Sequence, residues 1–282
     1  MALFALLALL LAAAVGLGLW LWHRRRVRPR LRRRRRVPAR PRYPVVLVHG
    51  LFGFDELELG KVRHAYFKGV REALARDGHV VHVAKVALAG SIATRAGELA
   101  RFVGSTEGRR VNLVAHSMGG LDARFAIARL GLDRRVASLV TVGTPHRGSP
   151  LADLSGGLAE RLGLFRALAA TGVSVDAFRD LTSTNMARFN EEVRDARSVA
   201  YGSVVGVIRR KRRTNPLLVP SQMWLHRTWG DNDGVVPASS QRWGQVLAEI
   251  EADHWAQVGW SRHFDAAAFY RDLLRELRAM GF

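Results

Sequence analysis

The chain has 282 residues, no cysteine, and 44 Lys and Arg against 24 Asp and Glu, for a formal net charge of +20. That length suits one domain of ordinary size plus an appendage, with enough chain to bury a sizeable core. The missing cysteines exclude disulfides, thiolate metal sites and a cysteine nucleophile. A charge of +20 suggests nucleic acid until its location is read. Residues 1–22 carry no charge, and residues 23–42 carry twelve Arg and no acid, which leaves 32 basic against 24 acidic residues in 43–282. The excess is concentrated in one short segment, so no nucleic-acid partner is expected.

Met1 to Trp22 (MALFALLALLLAAAVGLGLWLW) is an uninterrupted apolar run. As a helix it spans about 30 Å, the thickness of a bilayer core. Trp20 and Trp22 stand at its end, where indoles favour the interface. A secretory signal subsequently cleaved is the rival reading. Its charged start and small-residue cleavage site are absent, so 1–22 is read as a retained transmembrane anchor. The Arg-rich segment 23–42 would then lie against anionic lipid headgroups. By the positive-inside rule it would place the following domain in the cytoplasm. Three prolines in Val37 to Pro44 mark a stiff linker, and the globular domain is set at 43–282.

Within that domain, strand-like runs alternate with helical ones. Val45–Val48, His79–Val86, Val111–Ala115, Val136–Val142, Ser198–Val207 and Met223–Trp229 read as strands. Ser91–Gly104, Gly119–Leu130 and Asp265–Met280 read as helices. Near-continuous apolar strands alternating with helices predict an α/β class, with a mostly parallel sheet and helices on both faces. Between the two sheet-forming halves, about residues 151–197 show helical spacing and no strand. Leu154, Leu158, Leu162, Phe165, Phe178 and Phe189 would let these helices cover an apolar pocket as a lid, or pack as an auxiliary core.

The strongest chemical signal is Val111-Asn-Leu-Val-Ala-His-Ser117-Met-Gly-Gly120. A β-run leads into a serine, and small residues then open a helix, as in a nucleophile elbow. The small positions are Ala115 and Gly119, so Ala replaces the first glycine of G-x-S-x-G. A serine needs a base, a residue that orients the base, and an oxyanion hole. On an elbow of this type the partners follow in the order acid, then His. Asp233, in Trp229-Gly-Asp-Asn-Asp-Gly-Val-Val-Pro237, is the candidate acid, with Asp231 its competitor. His254, 21 residues after Asp233, is the candidate base, with His263 its competitor. His116 and His146 precede the acid and read as structural. Oxyanion donors are expected from the backbone N–H of Met118 and of Leu51, in the His49-Gly-Leu-Phe-Gly53 loop after the first strand.

On these residues the chain resembles the bacterial triacylglycerol lipases of the α/β-hydrolase superfamily. The resemblance is carried by Tyr43-Pro-Val-Val-Leu-Val-His-Gly-Leu-Phe-Gly-Phe-Asp55, Ala115-His-Ser-Met-Gly-Gly-Leu-Asp-Ala-Arg124, Thr141-Val-Gly-Thr-Pro-His-Arg-Gly-Ser149 and Asn232-Asp-Gly-Val-Val-Pro237. It implies the α/β-hydrolase fold with a helical lid, a Ser117–His254–Asp233 triad, and Leu51 and Met118 as oxyanion donors. Many such lipases hold a structural calcium. Here the ligand positions are Ala256 and Trp260, and Arg209–Leu218 has no carboxylate. No metal and no cofactor is therefore expected. Ile208-Arg-Arg-Lys-Arg-Arg213 is a second basic cluster, read as a solvated loop or as a face turned to anionic lipid.

The resulting expectation is a membrane-anchored serine ester hydrolase acting on lipid or other acyl esters. An acyltransferase using the same triad and a catalytically silent binding module are the alternatives. The sequence is neutral on oligomeric state.

Overall fold

A computed structural model describes residues 40–51, 56–59, 62–154 and 176–282. The expected anchor 1–22, most of the linker 23–42, and residues 155–175 of the insertion lie outside the described residues. So does the competing proposition of a cleaved signal. Among the described residues no helix is long and apolar enough to cross a membrane.

Six parallel strands form the sheet, in the order β4-β1-β5-β6-β7-β8. They are β1 (Val45–Val48), β4 (Val81–Val83), β5 (Val111–His116), β6 (Val136–Val142), β7 (Ala200–Val207) and β8 (Gln245–Glu251). A separate antiparallel hairpin pairs β2 (Glu56–Leu59) with β3 (Val62–Ala65). β1 is an interior strand next to the β4 edge, its Leu47 beside Val83 on one side and Val114 on the other.

Helices cover both faces, which explains why the strands read as unbroken apolar runs. Side chains alternate across the sheet with period two. Val45 and Leu47 face a core made with α1 (Val70–Arg76) and the last helix, α7 (Ala266–Ala279), through Val70, Leu74, Tyr270 and Leu274. Val46 and Val48 face the opposite core, made with α2 (Ile92–Ser105) and α3 (Gly119–Arg129) through Ala96, Leu99, Ala123 and Ile127. Each fully buried Leu or Ile contributes about 1.5–3 kcal/mol to holding these layers together. The insertion contributes α4 (Asp176–Asp180) and α5 (Ser183–Glu192). Ala177 and Met186 pack there with Ile92, Met118 and Leu121, next to the start of α3.

Three sequence expectations need correction. Met223–Trp229, expected as a strand, belongs to helix α6 (Val219–Trp229). Gln222 and Leu225 are its inward residues, at helical spacing from each other and from the buried Leu218 just before it, and Pro220 sits in its first turn. The aromatic content of the segment masked that period. β8 was not expected at all, because as an edge strand it leaves Gln245, Val246 and Glu249 exposed and lacks a long apolar run. The expected strand His79–Val86 shrinks to Val81–Val83.

Candidate active site

Parallel strands send their C-terminal ends to one edge of the sheet, and the candidate residues collect there. β5 ends at His116, and Ser117 follows with φ 56°, the one non-glycine residue with positive φ among those described. A left-handed serine costs of order 1 kcal/mol and persists only where its surroundings enforce it. Here Ser117 N–H donates to the Val142 carbonyl at 2.9 Å, and Thr144 Oγ1 donates to the Ser117 carbonyl at 2.7 Å. The tight turn also explains its small neighbours. A Cβ on Gly119 would lie 2.7 Å from the His49 carbonyl oxygen and 2.8 Å from that of Val48. Ala115, by contrast, is a regular β5 residue paired with Val48 and Thr141, so a methyl is tolerated there.

His254 follows β8 and Asp233 follows α6. His254 Nε2 lies 3.0 Å from Ser117 Oγ, and His254 Nδ1 lies 2.7 Å from Asp233 Oδ2. The second bond fixes the neutral imidazole with its hydrogen on Nδ1, so that Nε2 accepts from the serine hydroxyl. Asp233 is completely buried, and its Oδ1 accepts from the N–H groups of Val235 and Val236 at 3.0 and 2.8 Å. Its backbone carbonyl accepts from His254 N–H at 2.9 Å, which ties the acid loop to the histidine loop. The two competitors take no part in this line of hydrogen bonds. Asp231 is exposed and takes a turn role, its carbonyl accepting from Ala238 N–H, and His263 is exposed ahead of α7.

The loop after β1 lies against the serine. A Cβ on Gly50 would sit 2.7 Å from Ser117 Cβ and 3.1 Å from its Oγ. Leu51 follows Gly50, and Met118 follows the serine at the entrance to α3. No hydrogen bond from the Leu51 or the Met118 N–H appears among the described residues.

Several site residues were missed in the sequence. Arg95 on α2 is fully buried and donates from Nε to Asp122 Oδ2 at 2.8 Å and from Nη2 to the His49 carbonyl at 2.8 Å. Its place on the apolar stripe Ile92–Ala96–Leu99 was the available signal, since an arginine on a core-facing stripe must have partners. Gln257 is fully buried and donates from Nε2 to Asp233 Oδ2 at 3.0 Å. Tyr66 Oη lies 2.7 Å from His116 Nδ1, and the His116 ring lies 4.6 Å from that of His254. Burial, with the adjoining His254 second, holds His116 well below the usual histidine range.

The positions at which the resemblance would place calcium ligands do not fit a cation. Ala256 is buried and offers no side-chain oxygen, and Trp260 turns its indole N–H to the Tyr66 carbonyl at 2.9 Å. The two loops are stitched instead by Asp253. Its Oδ2 accepts from Asn215 N–H at 2.8 Å, and its Oδ1 from Trp255 and Ala256 N–H at 3.0 and 2.8 Å. Among the described residues no cluster of three or more His, Asp or Glu side chains could hold a metal ion.

Known proteins resemble this chain over most of its length. Residues 98–188 match the family model for the PGAP1-like alpha/beta domain. Triacylglycerol lipase 2 of Saccharomyces cerevisiae is 29% identical over 280 residues, covering 82% of this chain and 85% of the relative. A triacylglycerol lipase of Pseudomonas fragi is 28% identical over 296 residues, covering 85% and 97%. The crystal structure of a metagenomic carboxyl esterase superposes with a TM-score of 0.72 at 22% identity, covering 86% of this chain and 77% of that one, which shows the fold. The chain has the α/β-hydrolase fold. Over most of its length it is similar to triacylglycerol lipases, as its sequence motifs imply.

Proposed function

We propose that this protein is a serine ester hydrolase of the lipase and esterase kind that cleaves lipid acyl esters through an acyl-enzyme. The observation that carries the reading is the continuous line Ser117 Oγ–His254 Nε2 at 3.0 Å and His254 Nδ1–Asp233 Oδ2 at 2.7 Å, ending on a serine held at φ 56°. Its lipase-named relatives support the lipid ester as substrate.

In this reading Ser117 Oγ attacks the ester carbonyl while His254 Nε2 takes its proton. Asp233 holds the imidazole in the required tautomer and stabilises the imidazolium that forms. The Leu51 and Met118 N–H groups receive the oxyanion, each donor supporting the transition state by about 2.7–4 kcal/mol. His254 returns the proton to the leaving alcohol, and water then releases the acid by the same steps in reverse order. The insertion 151–197 serves as a lid over the acyl pocket.

The protein is held at the membrane by 1–22 as a single-pass anchor, with the Arg-rich 23–42 against anionic headgroups and the hydrolase in the cytoplasm. The apolar run without charge, followed at once by twelve Arg, supports this. A C-terminal reporter that is active only after export should stay silent, and an active reporter contradicts the orientation. The activity is tested with p-nitrophenyl esters of short to long acyl chains. Turnover rising toward long chains supports a lipid substrate, turnover of short chains alone restricts the enzyme to esterase chemistry, and no turnover of any contradicts hydrolysis.

A further inference from the structure

The mechanism above leaves one group at its centre unused. Gln257 lies in the short turn Ala256–Val258 behind the histidine loop, fully buried, with its carboxamide in a slot that two glycines leave open. A Cβ on Gly206 would come within 2.1 Å of Gln257 Nε2, and one on Gly143 within 2.3 Å of Gln257 Oε1. These glycines stand near the C-terminal ends of β7 and β6, so the sheet itself is shaped around this amide.

Its orientation follows from its neighbours. A carboxylate oxygen only accepts, so the end of the amide facing Asp233 Oδ2 at 3.0 Å must be the NH2. On the other side the Gln257 side chain adjoins the imidazole of His116, the residue before the nucleophile. His116 Nδ1 is engaged by Tyr66 Oη at 2.7 Å, which leaves Nε2 for Gln257 Oε1. Among the described residues His116 Nε2 and Gln257 Oε1 are each without a hydrogen bond of full geometry, and the backbone of His254 adjoins the same ring. Burial keeps the His116 ring neutral, so it carries a single hydrogen, which sits on Nε2 if Tyr66 donates to Nδ1. Gly50, the residue before the candidate oxyanion donor Leu51, closes the line, because its Cα is packed against both Tyr66 Oη and Ser117.

We propose that Gln257 is a positioning residue of the hydrolytic site, its carboxamide spanning from His116 to Asp233 so that the strand carrying the nucleophile and the acid that orients the base are held in one register. This rests on the reading of Ser117, His254 and Asp233 as the hydrolytic machinery. Gln257 touches no reacting atom. It shares Asp233 Oδ2 with His254 Nδ1, so it limits how much of the carboxylate's charge falls on the imidazole. Removing that donor leaves the full charge to the His254 bond, which stabilises the imidazolium and keeps the base protonated to higher pH.

The test compares full-length wild type, Gln257→Leu and Gln257→Glu on a p-nitrophenyl ester across about pH 5 to 9, with rates normalised to sites titrated by a fluorophosphonate. Gln257→Leu should lower kcat about 10- to 100-fold, part of the 10²–10⁴ a positioned base supplies, with KM nearly unchanged. The acid limb of its profile should move to higher pH. Gln257→Glu keeps the shape of the side chain but offers a donor only while protonated, so its activity should fall away on the alkaline side where the wild type holds its plateau. A Leu variant with wild-type kcat per titrated site and an unmoved acid limb overturns the proposal. Should that variant yield no titratable sites, a Glu profile superimposable on the wild type overturns it just as well. A wild type that hydrolyses no ester removes the hydrolytic reading, and this proposal with it.

Discussion

Arg95 reaches the His49 carbonyl with Nη2 at 2.8 Å, and so fixes the loop that brings Gly50 beside Ser117. The same guanidinium is paired with Asp122 at 2.8 Å, with both side chains wholly inaccessible to solvent. A buried charge survives only when it is paired and hydrogen-bonded, so one interaction stabilises the fold and shapes the candidate oxyanion loop together. Arg95→Met should lower stability by about 3–5 kcal/mol, because it strands the Asp122 carboxylate. Arg95→Lys should keep the charge but lose the two-armed geometry, giving a folded protein with reduced kcat. Denaturant unfolding and ester turnover of the two variants separate these effects.

The elbow makes a sharper distinction among its small residues. Gly50→Ala and Gly119→Ala each place a methyl within 2.7 Å of Ser117 Cβ or of the His49 carbonyl oxygen, a crowding that costs about 1–3 kcal/mol and displaces the serine. Both should lose most of their kcat. Ala115→Gly, within a regular strand, should stay close to wild-type turnover. Equal losses at all three positions would contradict the assignment of the turn.

Chelators should do nothing. Asp253 holds the 209–218 loop to the histidine loop through the Asn215 N–H and braces its own loop through the Trp255 and Ala256 N–H groups, while Ala256 and Trp260 offer a cation no side-chain oxygen. EDTA should leave Tm and turnover unchanged, and added calcium should not restore an Asp253→Ala variant. A Tm that falls with EDTA contradicts this.

His146 gives a pH signature. Burial first, then the charges of Arg124 and Arg147, hold it well below the usual histidine range. Its folded-state value lies below its unfolded one, so the unfolded chain binds the extra proton, and stability is lost as pH falls below about 6.5. Asp122, which burial pushes up to about 7, acts with the opposite sign in an overlapping window, so the measurement is a difference between variants. His146→Gln should show a smaller drop in Tm than wild type between about pH 7 and 5. An unchanged drop would mean His146 does not stay neutral in the fold.

The parts of the site that a sequence can show are those with local rules. Ser117 announces itself because a strand, a left-handed turn and a helix must follow one another with small residues at fixed places. Asp233 and His254 follow from chain order, and the structure brings His254 within 3.0 Å of a serine 137 residues away. Arg95 and Gln257 obey no such rule. An arginine in a helix and a glutamine in a short turn carry no spacing that names their partners, and both act through contacts made only once the sheet is assembled. The same holds for β8, whose exposed edge dilutes its pattern. The reading of Met223–Trp229 as a strand failed because Trp224, Leu225 and Trp229 suit a strand by type while the inward spacing of Leu218, Gln222 and Leu225 is helical.

Covalent labelling of Ser117 tests its role as an activated nucleophile most directly. Wild type and Ser117→Ala, both full length, would be exposed to a fluorophosphonate probe, and the modified peptide located by mass spectrometry. The account predicts one label, on Ser117, formed by wild type and absent from Ser117→Ala. Wild type that takes up no label, or a label that persists in Ser117→Ala, contradicts it.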